Sequence, residues 1–364
     1  MEYFGVTTMS DAYDAVARIL QRLTPHMDPL SHALLGAASG QAIARGTRAA
    51  AALAGVFGAL LPDADVLIGS DTDPLLALEY HRQFTHSFAA APVGALLAAA
   101  AAWFLMRRRP AFDSLYWAAL AGYVSALILD ACTSYGTQLL WPFTDRRFSA
   151  SIVAVIDPVV TLVLLAGVVL AFRAAGAKAA RVSIAIVLVY LGLGWVQRER
   201  AESVIERIAA ERGHEISRHE VKPTLGNLLL WRSVYLTGDE FVIDAARPGL
   251  LSAPVVYPGG PVRRIQPIDL VPPLTLNSVQ ANDVVRFAKV SEGFLARHPA
   301  HPHVIGDIRY SMLPDGLEPL WGIAVHAQRE TEHVELRTYR EFTAEDRQRF
   351  FAMLRGAAPA ANGR

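Results

Sequence analysis

The stretch Tyr80-His81-Arg82-Gln83-Phe84-Thr85-His86-Ser87 sets two imidazoles, a guanidinium and two hydroxyls at the mouth of an apolar run, residues 85–106. Apolar surroundings exclude such groups unless they are paired or bound to a metal, because a polar group taken out of water costs free energy. The run itself is long enough to cross a bilayer, which takes roughly 20 apolar residues. Its polar mouth therefore raises the question of what else gathers there.

Outward from this stretch, the chain of 364 residues is only 19% charged, with a mean hydropathy of +0.27. The apolar residues are unevenly spread. Between Pro29 and Gln197 they fall into blocks at 30–44, 49–61, 85–106, 115–129, 159–172 and 182–196, and after Arg198 the chain turns charged and Pro-rich. This pattern predicts an all-α membrane bundle of four to six apolar helices over residues 27–198, followed by a smaller α+β soluble domain over 199–364. Residues 1–26 read as an N-terminal extension, with Met27 the expected start of the native chain. Net charge is zero, so no basic field argues for nucleic acid. The single cysteine, Cys132, excludes an intrachain disulfide framework and a Cys-rich zinc site.

The loops sort by charge. Arg45 and Arg48 lie between the first two blocks, Arg107-Arg108-Arg109 between the third and fourth, and Arg173, Lys178 and Arg181 between the last two. Asp113 is the only acid among them. The positive-inside rule puts these loops in the cytoplasm and the opposite helix ends, with the C-terminal domain, outside it. The first two blocks are short for a span and can be tilted or re-entrant. The outward ends carry Asp28, His32, Asp63, Asp65, His81, His86, Asp130, Arg146, Arg147 and Asp157. Helices that alternate in direction bring all of them to one face.

His and Asp without a thiolate cluster suit zinc, manganese, magnesium or iron. The candidate ligands are His32, Asp63, Asp65, His81, His86 and Asp130. Six exceed the roughly three protein ligands of one open zinc site, so a two-metal arrangement suited to phosphate ester hydrolysis is open. Arg82 and Asp65 are the candidate catalytic residues. Arg82, Arg146 and Arg147 are candidates for holding a phosphate or carboxylate of the substrate. Each has a plainer reading. His32 can be an interfacial or capping residue, Asp63 and Asp65 after Pro62 can be turn residues, Asp157 before Pro158 can punctuate a helix start, and Arg146 and Arg147 can be interfacial. Asp130 resists that reading, because an acid at the end of a membrane helix usually faces a partner or a cavity.

In the soluble half, residues 200–212 predict a charged helix continuing out of the membrane. Val234–Ile243 predicts a hairpin around Thr237-Gly238-Asp239. Pro-rich loops are expected at 254–273, a helix at 282–296, strands at 304–310, 320–328 and 333–340, and a helix at 343–354 with Thr343 as N-cap. His298, His301 and His303, alternating with Pro, read as an exposed loop.

Four pieces carry a family resemblance: Asp28-Pro29-Leu30-Ser31-His32, Leu61-Pro62-Asp63-Ala64-Asp65, His81-Arg82-Gln83-Phe84-Thr85-His86-Ser87, and Asp130-Ala131-Cys132-Thr133-Ser134-Tyr135-Gly136 leading to Trp141-Pro142-Phe143. In them the chain resembles the bacterial inner-membrane metal-dependent hydrolases, also called LexA-binding membrane hydrolases. That family is in turn similar to zinc-dependent phospholipases C and related single-strand nucleases. The resemblance implies metal-ligand roles for His32, Asp63, Asp65, His81, His86 and Asp130, a divalent metal with zinc favoured, and a multi-pass protein of the bacterial inner membrane. The expected function is hydrolysis of a phosphoester or lipid-linked ester at the outer membrane surface, with the bilayer and a lipid or phosphoester as partners. The alternatives are a transporter or metal permease, whose charges would line several helices in depth, and a metal-stabilised structural or signalling module.

Overall fold

The computed structural model describes residues 28–359 apart from positions 71, 174, 175, 250, 251, 271 and 272; the expected extension 1–26 and the start at Met27 lie outside them. The apolar blocks become helices α1 (Pro29–Ile43), α2 (Arg48–Leu60), α4 (Ala91–Leu105), α5 (Phe112–Cys132), α6 (Pro158–Arg173) and α7 (Ala177–Glu211), with a short α3 (Leu76–Tyr80) before the polar stretch. Two of them start alike. Asp28 accepts the Ser31 N–H and Asp157 the Val159 N–H, each ahead of a Pro whose fixed φ suits the first helical position.

The expectation of four to six membrane helices is corrected. Among the described residues only α5 and α7 are long and apolar enough to cross a membrane alone, and a third span arises only if residues 76–105 count as one, bent by 87°. A 15-residue helix such as α1 rises about 22 Å, short of a hydrocarbon core of about 30 Å. The run at 85–106 does not form one straight helix either. Its first residues close a 3-10 turn, Phe84–His86, and α4 begins only at Ala91.

Small residues let α1, α2 and α5 approach backbone to backbone. A Cβ on Gly55 would stand 2.0 Å from the Gly36 carbonyl oxygen, and one on Gly122 would stand 2.2 Å from the Gly55 oxygen. Such contacts hold membrane helices together where burial from water supplies no driving force. At one end of this bundle the basic loops meet. Arg48 donates to the Ala171 carbonyl and Arg181 to the Ala42 carbonyl, while Arg45, Arg107 and Arg109 line one cavity. The shared end follows from helix alternation, as loop charge implied.

Helix α7 has 35 residues and runs from the apolar zone into the C-terminal half, where Ala201, Val204, Ile205 and Ala209 are buried against strands. That half holds two antiparallel four-stranded sheets. The first is β1 (Arg218–Pro223), β2 (Trp231–Thr237), β3 (Glu240–Arg247) and β4 (Val255–Arg263); after α8 (Val279–Val290), the second is β5 (Leu295–His298), β6 (His301–Asp307), β7 (Trp321–Ala324) and β8 (Glu335–Thr338). The β2–β3 hairpin turns at Gly238 as expected. Helix α9 (Ala344–Arg355) carries the full capping box from Thr343 to Asp346.

Three expectations for this half fail. Helix α8 stops at Val290, because Glu292 and Gly293 take positive φ, and residues 295–298 become a strand. The Pro-rich segment at 254–263 is not loop but strand β4, an edge position that tolerates Pro. His298, His301 and His303 lie in the β5–β6 pair rather than an exposed loop, with His298 buried.

The halves share contacts. Leu75 and Leu78, from the segment ahead of His81, lie in the C-terminal hydrophobic core with Val284, Phe287 and Ile323. The Tyr310 hydroxyl donates to the Ser134 carbonyl, and Ser151 donates to Glu220.

Candidate metal centre

Four elements deliver the centre. His32 sits one turn into α1. Asp63 and Asp65 sit on a 3-10 turn, Pro62–Leu67, that follows α2; Pro62 blocks continuation of the helix and leaves both carboxylates in the first turn. His81 and His86 flank the turn at 84–86, and Asp130 lies in the last turn of α5. Residues 98 positions apart thus become neighbours (His32 and Asp130), as the alternating topology implied.

The core is formed by His32, Asp63, His86 and Asp130. Asp63 Oδ2 lies 3.4 Å from His32 Nδ1, and its Oδ1 lies 3.4 Å from His86 Nε2. Asp130 repeats the pattern, with Oδ1 at 3.3 Å from His32 Nε2 and Oδ2 at 3.3 Å from His86 Nε2. Each carboxylate thus offers one oxygen to each imidazole. His86 is fully buried, and Asp130 and His32 nearly so.

These separations are long for charge-assisted pairing and are open to a cation between the groups. Charge-assisted N–H···O bonds run at about 2.7–2.9 Å. Ligands about 2.0–2.1 Å from a tetrahedral zinc stand about 3.3–3.4 Å apart. Both oxygens of Asp63, both of Asp130, His86 Nε2 and His32 Nδ1 are buried without a hydrogen-bond partner. Orphaned buried acceptors are costly, and here they converge. His32, Asp63 and Asp130 each offer a ligand atom within 4.8 Å of the others, a spacing at which a metal ion could be held.

Asp65 stands behind the imidazoles. Its Oδ2 accepts the Arg82 backbone N–H at 2.7 Å and lies 3.2 Å from His86 Nδ1, while its Oδ1 is 3.3 Å from His81 Nδ1. That is the position of a carboxylate that orients a ligating His through its second nitrogen. His81 therefore meets Asp65 and the edge of the Tyr135 ring, at a centroid distance of 5.0 Å. Arg82, at positive φ, is buried, and its Nη2 is 2.6 Å from Asp130 Oδ1 without hydrogen-bond alignment. Its Nη1 donates to the Thr133 hydroxyl. Of the other two arginines, Arg147 donates to the carbonyls of Glu79, His81 and Gly136 and so clamps the turn, while Arg146 is exposed over the Phe148 ring.

A small cavity reaches the His32–Asp130 edge. It is lined by Asp28, Ser31, His32, Arg82, Asp130 and Asp157, with Thr133 and apolar residues, and its 10 Å³ is about the space one water needs. Asp63 is the member of the centre that is partly exposed.

Residues 27–201 match the family described as YdjM inner membrane protein. The match covers the helical half and every member of the centre, and it agrees with the membrane family that the four motifs resemble. No curated protein and no solved structure matches the chain. The wider likeness to zinc phospholipases C finds no support in these comparisons. The YdjM match and the apolar helices fit a membrane-bound protein.

Several supporting residues escape sequence reading. Tyr123 donates its hydroxyl to the Thr85 carbonyl and lies two turns before Asp130, on the same helix face. That spacing was a readable signal. Arg286 of α8 was not readable: it forks to Glu79 at 2.7 and 2.8 Å and to Asp73 at 2.8 and 3.1 Å, just ahead of His81.

Proposed function

We propose that this chain is a membrane-embedded, metal-dependent hydrolase of a phosphoester or lipid-linked ester, working at the extracytoplasmic face of a multi-pass protein. The observation that carries the reading is the set of buried, unpartnered oxygens and nitrogens shared among His32, Asp63, His86 and Asp130. When bound there, a divalent cation supplies Lewis acidity toward a water and a phosphoryl oxygen. Zinc suits two imidazoles with carboxylates; manganese, magnesium or iron are the other candidates.

The chain's own residues do the rest. Asp65 holds the His86 and His81 rings in place. Arg82 balances the charge of Asp130 and keeps Nε free of a partner beside the small cavity, where developing negative charge on an ester oxygen can be met. The cavity's room for a water supports hydrolysis over a purely structural ion, since structural sites keep no open position. A transporter reading is less favoured, because the polar groups gather in one cage and not along a path.

The test is hydrolysis by the full chain in detergent, against phospholipids and bis(4-nitrophenyl) phosphate, with and without chelator and beside His86→Ala. Turnover that needs metal, and that falls in the variant together with metal content, is the expected result. Protein that retains its metal yet hydrolyses neither class of ester would leave the ion a structural one and end the hydrolase reading.

A further inference from the structure

At the end of the bundle far from the cage, three arginines surround a cavity with no acid to balance them. Arg45, Arg107 and Arg109 line it from the loops after α1 and α4, and among the described residues none of the three has a carboxylate in ion-pair contact. The floor is apolar, from Ala50, Leu105 and Leu115. The cavity is 750 Å³, within the range of small-molecule sites.

A second observation, the aromatic rings around it, points to the headgroup level. Trp103, Phe104 and Phe112 form edge-to-face contacts beside it, and Tyr116 and Trp117 pair one turn further on. Trp117 and Phe104 are more than half exposed. Aromatic rings with exposed faces collect at the headgroup level of a membrane, where amphipathic rings are best solvated. The cavity thus combines fixed positive charge, an apolar floor and a position at the polar–apolar boundary.

We propose that this cavity binds an anionic phospholipid, with the guanidinium groups of Arg45, Arg107 and Arg109 on the headgroup phosphate and an acyl chain along the Ala50–Leu105–Leu115 floor. Guanidinium takes phosphate through paired N–H donors, and basic pockets among membrane helices retain acidic lipids. A free phosphate would use the rim and leave the floor empty, so the lipid is the occupant that uses both. The site is independent of the metal cage and of the hydrolase reading.

Native mass spectrometry of the full chain, delipidated in mild detergent, tests it against phosphatidylglycerol, phosphatidylcholine and inorganic phosphate. Phosphatidylglycerol is expected to bind at least about tenfold more tightly than phosphatidylcholine, and the preference should fall about fivefold for each arginine removed. Arg45→Gln with Arg109→Gln leaves the positive-φ Arg107 untouched, so that a folding defect at that backbone position does not enter. Equal retention of the two lipids, or an unchanged preference in this double variant, would overturn the proposal. So would displacement of phosphatidylglycerol by millimolar inorganic phosphate, which would make the site one for the free anion.

Discussion

The two halves bury charge by opposite means. In the C-terminal half each buried acid meets a guanidinium at hydrogen-bond distance. Arg212 reaches both oxygens of Asp244 at 2.6 and 3.0 Å, and Arg309 reaches Asp307 at 2.7 Å. In the membrane half Asp63 and Asp130 face imidazoles at 3.3–3.4 Å with no aligned hydrogen bond on their four oxygens, and only Asp130 also has a guanidinium close by, Arg82 at 2.6 Å. The first arrangement is complete in itself. The second leaves buried carboxylate oxygens without an aligned hydrogen bond, which is what the proposed cation would satisfy, and the contrast carries more weight than the mere presence of acids in either half.

The strongest way to break that contrast is Asp130→Asn. It removes a donor set shared by both imidazoles and strips buried Arg82 of its counter-charge. Breaking a buried pair by removing one partner costs about 3–5 kcal/mol. The variant is expected to lose its metal, as measured by atomic emission, and to melt well below the parent with or without added zinc. An Asp130→Asn protein that keeps metal and melts like the parent would show that Asp130 is not needed to hold the ion.

A middling effect is expected where the two means meet. Arg286 joins Asp283 of its own helix to Asp73 and Glu79 of the membrane half. A grouping of Asp73, Asp283 and His333 could by composition hold a metal. The guanidinium already serves as its cation, which is why the cluster is read with the complete arrangements. Arg286→Met should lower stability by roughly 2 kcal/mol, less than for a fully buried pair because the groups are part-exposed. It should also weaken zinc binding at the cage by roughly tenfold, the scale of an outer-shell defect. Unchanged zinc affinity in a folded variant would show that the segment ahead of His81 is held without the C-terminal half.

These residues also mark how far the sequence could be read. The cage was legible because its members sit at helix ends, where loop charge and alternation place them without any knowledge of packing. Tyr123 and Asp130 share a face by helical period alone. The breaking of residues 85–106 was hidden, because apolar composition is the same in a turn and a helix, and the bend is set by His86 turning inward. Strand β4 was hidden by its prolines, which an edge strand accepts. Arg286 was hidden for a plainer reason: its partners are about 200 positions away, and no local pattern signals a contact made only when the two halves fold together.

The smallest effect concerns a half-buried imidazole, and it sharpens the contrast from the other side. His219 of β1 lies 3.2 Å from Glu202 on the extension of α7. This hydrogen bond raises its pKa above the usual value of about 6.5, against the opposing pull of partial burial; Glu206 adds to the rise and Arg198 opposes it. A raised folded value means that the protonated ring favours the folded state. The pair's contribution is then fully present below the unfolded value of about 6.5 and fades as pH climbs through the folded one. The difference in thermal midpoint between the parent and His219→Gln should accordingly be constant under mildly acidic conditions and close to zero in alkaline buffer. Salt should shrink it, as it does for any solvated pair. A gap that widens with pH would mean that His219 is held neutral. The contrast would then fail at its weakest point, since even a half-buried imidazole–carboxylate contact outside the cage would not behave as an ion pair.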